Sequence, residues 1–532
     1  MLSPTNPAMR NQALIGTSLF VLGLAVAWEI GAKIVAGDMR ILEFAALGFS
    51  ACVVAAVILH NWRTGFYFFF VWMMFEDLIR KFMGNDLILF FGKEILAGFV
   101  YVSLAVAIRR GREKTFRPPF LVFLGLFFWL GVLQVFNQNS PSIWYGLLGF
   151  KVYFYYIPLM FVGYALMRTD EDLRKFLLVN GVLAAVIAAL GIAQAIVGNS
   201  FLNPKILAPE LEELGNLSKY SPISGQVFSL PDSVFVSSGR YAEYVPLAFI
   251  VAMGAVGYLL LSTKRNRKFM LVVIGLLGAA GFLTGNRGCV VYMIATTLFL
   301  AVGFLWGAPW RWRQVHRTVK AVRRSAVIAA VGLIAVFLFF PSEVAPRLAF
   351  YAETLLPSSS AYEVSNRAWD YPVQNFEEVF AQPNWEFGNG IGTATLGRQY
   401  AAKLTHERPP AIGVEEGYGT LIVEMGIVAP IMWILWTGAL LYFSWKVVGQ
   451  LRETRLFPVA LAIFWYAFLL LYPWTYASLA SYQNYTCNAF LWIMIGVLFR
   501  LPDLLKNRDV LTVASMDPQP HPVESVFRQW SS

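Results

Sequence analysis

The sequence predicts an all-α polytopic membrane protein, and three observations predict it. Hydrophobic residues make up 58% of the 532 and charged residues only 14%, where a soluble chain carries roughly 25% charged. Apolar runs of about 20 residues, the length that crosses a bilayer core at about 1.5 Å per residue, recur along the chain. Lys and Arg gather in short segments between those runs, the pattern that sets orientation in a membrane.

The runs read as helices over Gln12–Ile34, Ile41–His60, Phe66–Phe82, Leu87–Ile108, Pro119–Phe136, Trp144–Met167 and Phe176–Val197. They continue with Tyr244–Leu261, Phe269–Leu283, Cys289–Trp306, Ser325–Phe340, Tyr418–Ser444, Phe457–Tyr472 and Tyr485–Phe499. The expected architecture has about 14 transmembrane helices. The first run is too long for the apolar part of a signal peptide and has no clear cleavage site, so it reads as a retained helix. The third is unusual, because Glu76, Asp77, Arg80 and Lys81 crowd its second half.

Basic segments at Arg109–Arg117, Lys264–Lys268, Arg311–Arg324 and Lys446–Arg455 can all lie on one side, the cytoplasmic one, with both termini there. The net charge of +10 then has a topological origin beside anionic lipid and requires no nucleic acid partner. This alternation sends residues 198–243 and 341–417 to the opposite side. The chain divides into N-terminal helices (1–197), a first outer segment (198–243), central helices (244–340), a large outer loop (341–417), C-terminal helices (418–505) and a disordered tail (506–532). The large loop is rich in aromatic residues, so it is expected to dock back on the membrane surface.

The outer side also collects charge. Arg287 lies in "TGNRG" between two apolar runs, where Gly285 and Gly288 allow a tight reversal. Arg240 and Glu243 open the helix at "SSGRYAEY"; Arg347, Arg367, His406, Glu407, Glu415 and Glu416 follow in the large loop. Guanidinium forks match phosphate oxygens, so these arginines suit a lipid-linked phosphate or pyrophosphate, while an arginine capping carbonyls at a helix end is the simpler alternative. A nearby carboxylate or imidazole could accept a proton from an attacking hydroxyl. For Glu416, a helix cap and a general base are both open. Lys93 and Arg80 either extend the anion site or pair with the neighbouring acids.

The series "SSGRYAEY", "LTGNRG", "NRAWDYPVQNFEEVFAQPNWEFGNGIGTA" and "EEGYGTLIVEMGIVAPIMWIL" resembles the O-antigen polymerase and O-antigen ligase superfamily over roughly Ser237–Leu435. The resemblance implies a many-helix bundle of the GT-C type with a periplasmic loop over the site, in the bacterial inner membrane. It implies a metal-independent glycosyltransferase whose donor is an undecaprenyl-pyrophosphate-linked glycan and whose acceptor is another glycan, or lipid A core for a ligase. A chain-length regulator and a flippase are the protein partners it suggests. The donor-binding candidates are Arg240, Arg287, Arg367, Arg347 and Lys93; the catalytic candidates are Glu416, Glu415 and His406. Where the family has a His, often followed by Asn, this sequence has Glu415, Glu416 and Gly417. A missing His and the cytoplasmic tail favour a polymerase of exopolysaccharide or O-antigen over a ligase.

Other motifs carry less. "GNGIGTATLG" reads as a turn, since an outer loop lacks the strand and helix that a nucleotide fingerprint needs. "RTDEDLRK" reads as a helix start, with Thr169 as cap and Asp170 and Asp172 in the first turn. Four His and three Cys, unclustered, make a structural or catalytic transition metal unexpected, and no cofactor is implied. A transporter or flippase is the competing class, but the charges sit at one interface and no internal repeat is legible.

Overall fold

The structure, a computed structural model, describes residues 54–84, 87–204, 218–262, 266–307, 341–406 and 413–516, with scattered positions between 307 and 341 and Pro410. It is a helical bundle with a single two-stranded hairpin among the described residues. Its helices are α1 (Trp62–Met83), α2 (Leu87–Arg109), α3 (Leu121–Val135), α4 (Ile143–Phe154), α5 (Leu159–Leu166) and α6 (Asp170–Val197). After the hairpin of β1 (Ser218–Tyr220) and β2 (Val227–Ser229) come α7 (Ser238–Ser262), α8 (Arg267–Leu283), α9 (Arg287–Gly307), α10 (Pro341–Leu355), α11 (Tyr371–Glu378) and α12 (Arg398–Thr405). The chain closes with α13 (Gly417–Met425), α14 (Val428–Gln450), α15 (Phe457–Leu469) and α16 (Tyr485–Met516).

Eight helical spans among the described residues are long and apolar enough to cross a membrane, fewer than the fourteen expected; two of them are compound, Ile143–Leu166, which takes in α4 and α5, and Phe457–Ala477, which continues α15. Three of the missing spans are real helices that fall short on one physical count each. α1 carries four charges in its second half, α3 has 15 residues and α8 has 17. Gln12–Ile34, most of Ile41–His60 and seven of the sixteen residues of Ser325–Phe340 lie outside the described residues. The tail expected to be disordered from residue 506 is helical as far as Met516, and residues 517–532 lie outside the description.

Two predicted spans are broken. Pro158 separates α4 from α5, because a proline cannot donate to the preceding turn. The run Tyr418–Ser444 is two helices parted at Gly426, whose φ of 83° only glycine adopts readily. A Cβ there would lie 2.7 Å from the Glu386 carbonyl oxygen, so the large loop sits directly against the break. The opposite outcome holds at α7, which begins six residues before the predicted Tyr244 and includes Arg240 and Glu243.

α7 and α16 are the most enclosed of the spans, each with 78% of its apolar window buried. Trp433, Trp436, Trp492 and Tyr482 interlock at the centre, Trp436 stacking on Trp492 at 5.8 Å. Aromatic packing of this kind holds the bundle where lipid gives apolar residues no reason of their own to associate. The basic connections meet at one end: Arg168 bonds Glu113 at 2.6 Å, Arg455 bonds Asp170 at 3.1 Å, and the Arg500 Nε donates to the Met167 carbonyl. At that end Thr169 and Asp172 form the expected capping box of α6.

Candidate anion site and buried charge network

The opposite end holds the arginines and acids singled out above, and the structure sorts them into two groups. The first is buried. Asp77, wholly enclosed on α1, accepts from Arg80 at 2.9 Å, from Arg240 at 2.7 Å and from the Val236 amide at 3.3 Å. Lys93 bonds Glu76 at 2.6 Å, Lys151 bonds Glu94 at 2.5 Å, and Lys81 bonds Asp232 at 2.9 Å. Five cations thus meet four carboxylates. Taking ions from water costs several kcal/mol each unless they are paired, which explains why the charges of α1 and α2 occur together. The pairing alternative for Lys93 and Arg80 is the arrangement seen.

The large loop closes over this network. Tyr400 on α12 stacks on Phe90 at 4.2 Å and accepts from the Arg80 guanidinium at 2.7 Å. Ahead of α12 the glycine-rich loop is buried as well, since Glu424 on α13 accepts from the Ala394 amide at 2.9 Å and from the Tyr153 hydroxyl at 2.6 Å. The segment read as a turn is built of turns and bends, and it is buried as a wedge between α4 and α13. No pattern in the sequence marks Glu424 as its anchor.

The second group lies around α9 and is half-open. The reversal before α9 needs Gly285, with φ 64° and the Phe228 ring 2.5 Å from where a Cβ would stand. Gly288 sits in the helix without positive φ, so only one of the two glycines makes the turn. The Asn286 side chain caps the helix by accepting from the Cys289 amide at 3.1 Å. Arg287 is the first residue of α9; its Nη1 lies 2.7 Å from Glu363, and its guanidinium covers Phe350 at 5.3 Å. Arg367 is 3.8 Å from the same Glu363 and lies over the Tyr371 ring at 4.8 Å. From β1, Lys219 reaches the Phe350 ring at 5.5 Å, and burial together with the two guanidiniums pushes its ammonium below the usual range. Two guanidiniums share the Glu363 carboxylate, and the Lys219 ammonium lies within its electrostatic reach.

The remaining candidates are placed as follows. Arg347 is wholly buried and donates to the Leu283, Ser229 and Glu343 carbonyls, tying α8, β2 and α10 together beneath Phe350. It braces the open group. Glu416 is the cap of α13, accepting from the Tyr418 amide at 3.0 Å and the Gly419 amide at 2.5 Å, and burial raises its carboxyl to about 7 against those two bonds. Glu415 is exposed and accepts from the Tyr371 hydroxyl, which joins it through Tyr371 and Arg367 to Arg287. His406 is exposed at the end of α12 in left-handed backbone, and Glu407 lies outside the described residues. Arg240 and Arg287 have different acidic partners, so the two arginines expected to share one ligand belong to different groups.

Compared with known proteins, the chain matches no family model and no curated protein. Lys219 and Glu363 escaped sequence reasoning: neither stands in a charged motif, and only the fold of the hairpin and the large loop brings them to Arg287.

Proposed function

We propose that the chain is a membrane glycosyltransferase that polymerises polyprenyl-pyrophosphate-linked oligosaccharide repeats, with the end that carries Arg287 facing the periplasm and both termini in the cytoplasm. The observation that carries this reading is the Arg287, Arg367 and Lys219 group. Its Arg287 Nη1 is buried and makes no hydrogen bond among the described residues, although it lies within ion-pair reach of Glu363. A pyrophosphate entering there supplies the acceptors that three cations and one carboxylate leave unmatched. As the glycosyl bond breaks, charge grows on that pyrophosphate, and fixed cations stabilise it more in the transition state than in the bound donor.

Glu415 is the exposed carboxylate tied to the same chain of contacts, and it is the group that takes the proton from the acceptor hydroxyl. Glu416 orders the start of α13 from beneath. The buried network around Asp77 lies in the last turns of α1 and the first turns of α2, away from the midplane where a transporter places its ion sites.

The test is chain extension in vitro on purified lipid-linked repeats. Arg287→Lys keeps the charge and loses the fork, so extension should fall about ten- to a hundredfold, close to Arg287→Ala, with protein yield unchanged. Parental rates for Arg287→Lys would remove the anion reading. In a deletion strain, single repeats should accumulate; long free chains missing from lipid A would instead assign the ligase reaction.

A further inference from the structure

A cavity of about 400 Å³ lies at the other end of the bundle, between the N-terminus of α1, the C-terminus of α2 and the connection before α6. Four arginines line it, Arg63, Arg110, Arg112 and Arg168. Two of them are committed to the protein: Arg168 bonds Glu113 at 2.6 Å, and Arg63 donates to the Ala165 carbonyl at 2.7 Å and the Leu166 carbonyl at 3.2 Å. Arg63 nevertheless keeps a buried Nε without a hydrogen-bond partner. Glu113 already serves Arg168 and Arg63, and the Asp172 carboxylate is taken up by the cap of α6. Arg110 and Arg112 are exposed and have no ion pair among the described residues.

The cavity therefore has surplus positive charge. Leu59 and Val106 also line it and remain 50% and 41% exposed, Val106 one turn before Arg110 along α2. A ligand that satisfies both kinds of lining carries a phosphate and, next to it, hydrocarbon. We propose that this cavity binds the headgroup phosphate of an anionic membrane phospholipid, with Arg110 and Arg112 holding the phosphate and the acyl chains running along Leu59 and Val106. Bidentate donation by two unpaired guanidiniums distinguishes this from the diffuse attraction of basic loops to an anionic surface. The site is separate from the Arg287 group and does not depend on the glycosyltransferase reading.

The experiment is thermal unfolding of the purified full chain in detergent, titrated with phosphatidylglycerol or with phosphatidylcholine of the same acyl chains, and in parallel with inorganic phosphate. Phosphatidylglycerol should raise the unfolding temperature saturably and phosphatidylcholine should not. Each of Arg110→Gln and Arg112→Gln should raise the half-saturating lipid concentration about tenfold or more, the order of one hydrogen bond to a charged group. Lys114→Gln and Arg117→Gln, basic residues that do not line the cavity, should leave it unchanged. Equal responses to the two lipids overturn the proposal, as does an equal loss in the Lys114 and Arg117 variants. A full response to inorganic phosphate alone assigns the cavity to a free anion and overturns the lipid. Because each titration is read against the variant's own lipid-free baseline, a destabilised variant still reports.

Discussion

The Asp77 network and the Arg287 group use the same residue types at the same end of the bundle, and they differ in how completely the charges are matched. Around Asp77 each cation described has a carboxylate within reach, and the side chains of Asp77, Glu76, Lys93 and Arg80 are at most 1% exposed. Around Glu363, Arg367 is 55% exposed and three cations converge on one acid. A closed, matched network holds helices together; an open, unmatched one has room and charge left for a ligand. Burial and balance, rather than the presence of arginine, separate architecture from a binding site.

The comparison breaks most readily at Asp77. Asp77→Ala leaves Arg80 and Arg240 without their shared carboxylate in a dry interior, so it should cost about 3–5 kcal/mol. Thermal unfolding and detergent-solubilised yield measure it, and a variant as stable as the parent would show that the network is wet and dispensable. Glu416 tests a single acid between the two regions. Its carboxyl is raised from 4.5 to about 7, so the stability it lends is fully present below about pH 4.5 and is lost as pH rises through about 7. Between pH 5 and 8 the parent should lose up to about 3 kcal/mol relative to Glu416→Gln, whose amide does not titrate. Parallel pH curves for the two proteins would place Glu416 in contact with water. The smallest effect on stability belongs to Arg367→Ala, about 0–1 kcal/mol for a half-exposed pair. Under the proposed polymerase function, chain extension should nevertheless fall about tenfold or more, and a variant that is destabilised but fully active would exchange the roles of the two groups.

Much of the bundle was legible because bilayer length and charge rarity act residue by residue. The runs read as Phe176–Val197 and Tyr485–Phe499 needed only their hydropathy, and the structure extends them to Asp170–Val197 and Tyr485–Leu505. The capping box of Thr169 and Asp172 is a local motif, and it formed as read. The helix count was less legible, since α3 and α8 are apolar but short, and α1 is long but charged. The break at Gly426 was missed because hydropathy is blind to φ, and a continuous apolar run conceals it.

The site divides in the same way. By itself the sequence determined that charge would gather at one end: an arginine beside Gly288, another opening α7, and acids before α13. It could not say which acid meets which arginine. Asp77 and Arg240 are 163 residues apart, and Arg287 meets Glu363 across the whole segment between α9 and α11. Those pairings arise only when the large loop folds back, with Tyr400 on Phe90 and the glycine-rich segment under Glu424. Spacing along a chain fixes neighbours on one helix, whereas matching buried charge depends on distances in space, so only the tertiary structure decided which arginines are spent on the fold and which remain open to a ligand.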